Sequence, residues 1–229
     1  KNTDEFRMAK TDFIAVLDDH ISSDIALNAI LGLQELQVHV EVAQFDEYLT
    51  SFRNAHPEEQ SLEDIDLETA KRFYFNENFE SAISTLNQFM KAYPNSIHIN
   101  EVRYYLAESY FKVESLSQAA ENYEVLKEPW NVYTSRTLMR LGSIYQELSQ
   151  ILQAIDAYQS LITLEATAKE TFSASRALML IYASRGECEQ VIRLSNEILE
   201  MPNVATALSA DREALILKAN CLLSLKKVD

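Results

Sequence analysis

One spacing recurs along most of the chain, from residue 33 to residue 219. A small or apolar residue is followed 12 residues later by another, and such pairs occur five times, with first members 35 to 37 residues apart. The first members, with one unpaired member at the end, are Leu33, Ala70, Ala107, Gly142, Met179 and Ala219. The second members are Phe45, Ala82, Ala119, Ala154 and Val191. Self-similarity at a fixed period indicates a repeat protein, in which each unit packs on its neighbours.

Each repeat has the pattern of two helices. Only 3 glycines and 4 prolines are present, too few for the turns of an all-β protein. The clearest repeat carries Leu141-Gly142, Tyr145, Ala154 and Tyr158, at offsets typical of packed helix pairs. This pattern resembles the tetratricopeptide repeat (TPR). The resemblance implies an all-α fold, a right-handed superhelix of stacked antiparallel helix hairpins.

The 34-residue frame of that family predicts a single array with an unpaired helix at each end. Residues 4–19 are expected to form a lone second helix, and residues 211–225 the first helix of a truncated sixth repeat. The chain opens at Lys1 within a predicted helix and without an initiator methionine, which indicates a processed or trimmed fragment. The five complete repeats are expected at 24–57, 63–96, 100–131, 135–168 and 172–203.

Local features of the array can be predicted as well. The paired positions of the spacing are expected to be buried where two helices approach closely. Gly186 falls between the helices of the fifth repeat, where a positive φ is often needed. Ser115 is expected to cap the second helix of the third repeat with its side chain. Three leucines near the end of the chain should form an exposed edge, or be covered by another chain: Leu222, Leu223 and Leu225.

The charge of the chain bears on the class of partner. The 35 acidic and 20 basic residues give a net charge of −15, which repels phosphates and anionic lipids. No apolar run reaches the roughly 18 residues that a membrane-spanning helix needs. We therefore predict no nucleic-acid partner and no direct membrane span, and expect another protein or a peptide as the partner.

No pattern of catalytic or metal-binding residues is recognisable. Cys188 and Cys221 match no metal or redox spacing, so we expect two apolar helix residues, with a disulfide as the alternative. There is no G-x-S-x-G sequence and too little glycine for a phosphate-binding loop. We predict a non-enzymatic protein without metal or cofactor. The histidines, none of which forms a recognised metal pattern, are His20, His39, His56 and His98.

The resemblance implies a concave groove lined by the first helices of the repeats. Aromatic residues, arginine and methionine are enriched among residues that dominate binding energy at interfaces. For the aromatics, packing on the adjacent repeat is the alternative to binding a partner. Trp130, outside the groove, is expected to anchor its loop rather than to contact a ligand. The candidate partner-binding residues are Lys71, Tyr74, Phe75, Tyr104, Glu108, Phe111, Arg136, Met139, Gln146 and Arg176.

One subtype of the family can be tested on these positions. TPR domains that bind chaperones hold a C-terminal carboxylate with Lys and Asn at two groove positions of the first helices. Here such pairs include Tyr104 with Glu108 and Met139 with Ser143. The carboxylate clamp is absent, and Glu108 is expected to repel a carboxylate.

Two loop sequences, Tyr-Pro-Asn-Ser at 93–96 and Met-Pro-Asn at 201–203, resemble those of bacterial cell-envelope TPR proteins. That group includes outer-membrane assembly lipoproteins and periplasmic Tol–Pal coordinators. The resemblance implies a periplasmic or outer-membrane-associated scaffold that binds a protein segment, with a cytoplasmic location as the alternative. Alternative functions are a structural or self-associating spacer within a longer envelope protein, and a glycan-related or enzymatic module.

Overall fold

The computed structural model describes residues 2–22, 25–37, 39, 40, 42, 44–56, 59, 61–164, 167–201 and 210–226. These residues form twelve α-helices and no strand, which confirms the predicted all-α class. None of the described helices is long and apolar enough to cross a membrane. The helices are α1 Asn2–His20, α2 Ala26–Leu36, α3 Phe45–Ala55, α4 Ser61–Phe75, α5 Phe79–Ala92, α6 Ile99–Lys112, α7 Leu116–Lys127, α8 Thr134–Glu147, α9 Ile151–Thr163, α10 Ala168–Ser184, α11 Cys188–Leu199 and α12 Ala210–Lys226.

The chain divides into two compact units, Lys1–Ser96 with α1 to α5 and Ile97–Asp229 with α6 to α12. In the first unit, α1 packs on α2, α2 on α3 and α4, and α4 on α5. In the second unit, every helix from α6 to α11 packs on the helix that follows it. Such nearest-neighbour packing is what stacked helix hairpins require.

The small residues of the recurring spacing are buried as predicted. Ala82, Ala119 and Ala154 all have an exposed fraction of 0%. A residue this small allows two helix backbones to approach closely, and larger side chains then fill the space beside the contact. In the second unit those fillers include Tyr123, Leu141 and Leu161.

Ala219, the last position of the spacing, is an exception. We expected it to be closely packed, but its side chain is exposed. Helix α12 packs through Ala214 and Cys221, both of which are buried. Ala219 lies on the opposite face of α12, where no described helix of the chain covers it. Leu222, Leu223 and Leu225 are exposed within the chain, and whether another chain covers them stays open.

Four helix pairs share one turn geometry. A residue with positive φ follows the first helix of each pair, and the next amide donates a hydrogen bond to the carbonyl of the aromatic residue five positions earlier. The φ values are 60° at Glu77, 59° at Glu114, 59° at Ser149 and 72° at Gly186. The bonds run from Asn78 to Phe73, Ser115 to Tyr110, Gln150 to Tyr145 and Glu187 to Tyr182. This is the hydrogen-bond pattern of a Schellman motif, and the positive φ predicted at Gly186 is confirmed.

Two further expectations are wrong. Cys188 and Cys221 form a disulfide between α11 and α12, with their Cα atoms 5.0 Å apart. The sequence could not show this, because the contact depends on the antiparallel packing of those two helices. Ser115 occupies the N-cap position of α7, but its side chain forms no capping hydrogen bond. A capping box is found instead at Thr167 and Glu170, before α10.

Candidate functional site

A cavity of about 400 Å³ lies in the second unit, across the faces of α6 and α8. Four of the ten predicted partner-binding residues line it, namely Tyr104, Glu108, Arg136 and Met139. The lining also includes Arg140, Ser143, Tyr158 and Glu170. We call this site the α6–α8 cavity.

An ion pair between the buried Glu108 and the half-buried Arg140 forms the floor of this cavity. Glu108 is only 3% exposed, and its carboxylate accepts hydrogen bonds from Arg140 Nε at 2.8 Å and Nη2 at 3.1 Å. The buried Tyr123 hydroxyl donates a further hydrogen bond to the same carboxylate. Burial, followed by the Glu108 charge and hydrogen bond, raises the pKa of Tyr123, so its hydroxyl stays protonated as a donor. A bidentate pair with its lone pairs satisfied is a fixed structural element.

The guanidinium of Arg140 is held from both sides. Its hydrogen bond to Glu108 is the main cause of a raised pKa, which keeps it charged. On the other side it stacks over the ring of Phe111, 4.5 Å from the ring centroid, as a cation–π contact. Phe111, predicted to bind a partner, therefore contacts the floor of the cavity rather than lining it.

An aromatic stack forms one wall. The ring of Tyr104 lies on Tyr133, with centroids 4.7 Å apart and planes within 22°. Arg136 forms a hydrogen bond with the Tyr104 hydroxyl. Burial, with the Glu108 charge adding to it, raises the pKa of Tyr104, so this hydroxyl is neutral near pH 7. Tyr104 is therefore a rigid, uncharged surface beside the exposed side chain of Arg136.

Gly142 allows a second aromatic residue to reach the cavity. A Cβ atom at this position would lie 2.4 Å from Tyr158 Cε1 and Cζ, so the ring packs directly on the α8 backbone. The Tyr158 hydroxyl donates to Gln146 Oε1 at 2.8 Å, and burial raises its pKa to about 12. Gln146, another predicted residue, thus adjoins the cavity through Tyr158.

The lining of the α6–α8 cavity carries two acidic and two basic side chains, which are engaged to different degrees. The Glu108 carboxylate is bound by Arg140, and Glu170 Oε2 accepts hydrogen bonds from the Thr167 amide and hydroxyl at 3.1 and 2.7 Å. Arg136 has no ion pair with a carboxylate in the described part of the chain. Because Arg136 is exposed and lies beside the neutral Tyr104 hydroxyl, its guanidinium has hydrogen-bonding capacity left for a ligand.

The first unit contains a separate cavity of about 780 Å³ between α2 and α4. Phe75, one of the predicted residues, lines it and is 63% exposed. Gly32 lines it as well, and a Cβ there would lie 2.3 Å from the Phe13 ring. Leu31 and Arg72 also line this cavity.

The remaining predicted residues are placed elsewhere. Lys71 forms an ion pair with Glu68 on its own helix at 2.8 Å. Tyr74 is half-buried and packs edge-on against Phe75. Arg176 forms an ion pair with Glu213 of α12 at 2.6 Å, so it fixes a helix contact within the second unit.

Three residues of the cavity lining are not predicted by the sequence pattern. Arg140 lies one helical turn after Arg136, on the same face of α8, and could have been found from that spacing. Tyr158 is expected in the core. Its ring reaches the cavity because Gly142 lets it pack directly on the α8 backbone. Glu170 was missed because its position depends on the capping box before α10.

Trp130 does not anchor its loop as expected. Its side chain is 69% exposed and lines a third cavity, of about 510 Å³, with Thr134 and Leu138. Asn131 anchors the loop instead. Its amide donates to the Leu126 carbonyl at 3.0 Å, and its Oδ1 accepts from the Tyr133 amide at 2.9 Å.

Comparisons with known proteins agree with this architecture. The profile of the YfiO family, an outer membrane lipoprotein, matches residues 31–164. A crystal structure of a tetratricopeptide repeat protein from Parabacteroides merdae is similar in fold, with a TM-score of 0.56. The alignment has 13% sequence identity and covers 96% of this chain and 79% of that chain. No curated protein matches the chain in sequence.

Proposed function

The chain belongs to the YfiO family of outer membrane lipoproteins, and we propose that it is a protein-binding scaffold which holds a partner segment in the α6–α8 cavity. The observation that carries this proposal is the charge of Arg136, since both carboxylates of the cavity are engaged by other groups. A partner segment with an Asp or Glu side chain beside an apolar side chain fits this arrangement. The carboxylate would pair with Arg136, and the apolar group would pack on Tyr104 and Met139.

Glu108 does not oppose the binding of an acidic ligand in this cavity. Glu108 was expected to repel a carboxylate, but its charge is neutralised by Arg140 beneath the cavity. The same pairing argues for binding without catalysis. A carboxylate that accepts two hydrogen bonds from an arginine is a poor general base, and Tyr104 and Tyr158 are protonated near pH 7. The proposed role is therefore that of a scaffold.

The experiment replaces Met139 with a photo-crosslinking amino acid in the full chain. This variant is expressed in the bacterium that naturally makes the protein. We expect a specific envelope protein to be crosslinked from Met139. Combining the crosslinker with Tyr104→Ala and Arg136→Ala should reduce the product at least about tenfold, because an interface ion pair and an aromatic contact are lost. The melting temperature should fall by no more than a few degrees, since neither side chain is fully buried.

Two controls make the result specific. A crosslinker at Lys112, which is exposed on α6, should not yield the same product. Phe75→Ala, which changes the cavity of the first unit, should leave the Met139 product intact. If Phe75→Ala removes the product and the Tyr104 and Arg136 changes do not, the partner site lies in the first unit and the proposal is wrong.

We also propose a location in the cell envelope, on the periplasmic side or at the outer membrane. The family supports this location, and so does the Cys188–Cys221 disulfide, since disulfides persist in the oxidising periplasm and are rare in the cytosol. Alkylating thiols in intact cells before lysis tests it. Without reductant neither cysteine should be modified, whereas full modification of both would contradict the proposed compartment.

A further inference from the structure

An exposed tryptophan lines a cavity in the second unit that is separate from the α6–α8 cavity. We call it the Trp130 cavity. Its volume is about 510 Å³, which falls within the range of about 300–1,000 Å³ that is usual for small-molecule sites. The indole of Trp130 is 69% exposed. Because an indole has a large apolar surface, its position in a cavity favours contact with a ligand.

The backbone on both sides of Trp130 is held in place by one asparagine. The side-chain amide of Asn131 donates hydrogen bonds to the carbonyls of Leu126 at 3.0 Å and Pro129 at 3.1 Å. Its Oδ1 accepts a hydrogen bond from the Tyr133 amide at 2.9 Å. The loop is therefore already ordered, and a ligand that packs on the indole binds without the cost of ordering it.

The polar side chains that line this cavity are mainly hydrogen-bond acceptors. The Thr163 hydroxyl donates to the Gln159 carbonyl at 2.9 Å, so only its lone pairs remain for a ligand. Gln159 Nε2 donates to the Tyr182 hydroxyl at 3.0 Å, and its Oε1 is an acceptor. The carboxylates of Asp156 and Glu128, both exposed, accept hydrogen bonds only. This lining fits a ligand that is rich in donors.

The charges of the lining disfavour an anionic ligand. The ammonium of Lys127 lies 3.1 Å from the Glu124 carboxylate and 4.0 Å from that of Asp156, so its charge is balanced within the chain. The Asp156 side chain is nevertheless 71% exposed, and Glu128 adds a second exposed carboxylate. The chain as a whole carries a net charge of −15. A neutral ligand avoids the resulting repulsion.

We propose that the Trp130 cavity binds a neutral oligosaccharide, with the apolar face of one sugar ring stacked on the indole. A sugar ring has C–H groups on its face, which pack on an aromatic ring, and hydroxyls at its edge, which donate hydrogen bonds. Asp156, Gln159 and Thr163 supply the acceptors for those hydroxyls. The half-buried Ser160 supplies a hydroxyl that can donate to a ring oxygen or a glycosidic oxygen.

The experiment titrates the full chain with neutral oligosaccharides and follows tryptophan fluorescence. Trp130 is the single tryptophan among the 229 residues, so its emission reports on this cavity. The probes are disaccharides and trisaccharides of hexoses and N-acetylhexosamines, in α and β linkages. At least one probe should shift the emission to shorter wavelength in a saturable manner, because a stacked ring excludes water from the indole. If no probe changes the emission, the proposal is wrong.

Variants at Trp130 separate stacking from general apolar contact. The affinity for the tightest-binding probe is measured by isothermal titration calorimetry. It should fall at least about tenfold in Trp130→Leu, which keeps an apolar side chain without an aromatic face, and less in Trp130→Phe, which keeps a ring. Asp156→Asn should weaken binding at least about threefold, because a charged acceptor is replaced by a neutral one. Wild-type affinity in Trp130→Leu would contradict the stacking.

The matched control is Val132→Ala, which truncates an apolar side chain of the same loop that is 78% exposed and does not line the cavity. It should bind the probe like the wild type, and circular dichroism checks that every variant is folded. A fluorescence response to a tri-arginine peptide and to none of the saccharides would identify a peptide site and overturn the proposal. The described linings of the Trp130 and α6–α8 cavities share no residue, so this result is independent of the Met139 crosslinking.

Discussion

At the scale of single residues, the environment of a side chain determines its role more than its type does. Glu108 has a groove position in the sequence pattern, yet the structure buries it beneath Arg140. Arg176 also has a groove position, yet it joins α10 to α12. Neither pairing could be predicted, because each partner lies more than 30 residues away in the sequence.

Gly142 gives a prediction at this scale. Gly142→Ala should lower the free energy of unfolding by about 1–2 kcal/mol, because the clash with the Tyr158 ring outweighs the higher helix propensity of alanine. Urea unfolding measures the change. Ser143→Ala, at the next position and without this contact, is the control and should have little effect. A gain in stability at Gly142→Ala would show that the Tyr158 ring can move away at little cost.

At the scale of elements, the shared turn explains why the helix pairs are so alike. Three of its four positive-φ positions are occupied by Glu or Ser, residues that pay a conformational cost in this region. The hydrogen bonds to the aromatic carbonyls maintain the turn despite that cost.

Introducing glycine into one of these turns and removing it from another should change the stability in opposite directions. Ser149→Gly should raise the free energy of unfolding by about 0.5–1 kcal/mol, and Gly186→Ala should lower it by about 1 kcal/mol. Ser149 is exposed, and a Cβ atom added at Gly186 would have no neighbour within 4 Å. Packing therefore contributes little to either change. Thermal and urea unfolding of the two variants give the comparison. If both substitutions raise the free energy of unfolding, or both lower it, the backbone explanation is wrong.

The elements were the most predictable part of the molecule. The spacing of Ala82, Ala119 and Ala154 determines which helix faces meet, and these faces are buried as expected. The predicted burial of Ala219 is wrong, because burial requires a covering helix as well as a small side chain. The Cys188–Cys221 disulfide was predicted only as the alternative, since it depends on how α11 and α12 align.

At the scale of the whole molecule, two tyrosines with raised pKa values, Tyr93 and Tyr158, couple stability to alkaline pH. Burial, together with hydrogen bonding to Asp66, raises the pKa of Tyr93 to about 12, and burial raises that of Tyr158 to the same value, against an ordinary value of 10.0. A pKa that is higher in the folded state stabilises the protein fully below the unfolded value. This contribution is lost as the pH rises through the folded value.

The free energy of unfolding should therefore decline between pH 10 and about 12, in step with tyrosinate formation measured by ultraviolet absorbance. Tyr158→Phe should reduce the slope of that decline, because one titrating group is removed. If Tyr158→Phe leaves the slope unaltered, other groups cause the alkaline loss.

The covalent bond between α11 and α12 has a consequence for how the second unit opens. Helices of a repeat protein contact mainly their neighbours, so each can open locally. Cys188 and Cys221 tether α12 to α11, so α12 cannot separate from α11 by itself. Its amide protons should consequently exchange with solvent at rates close to those of α11, and reduction should make them exchange faster.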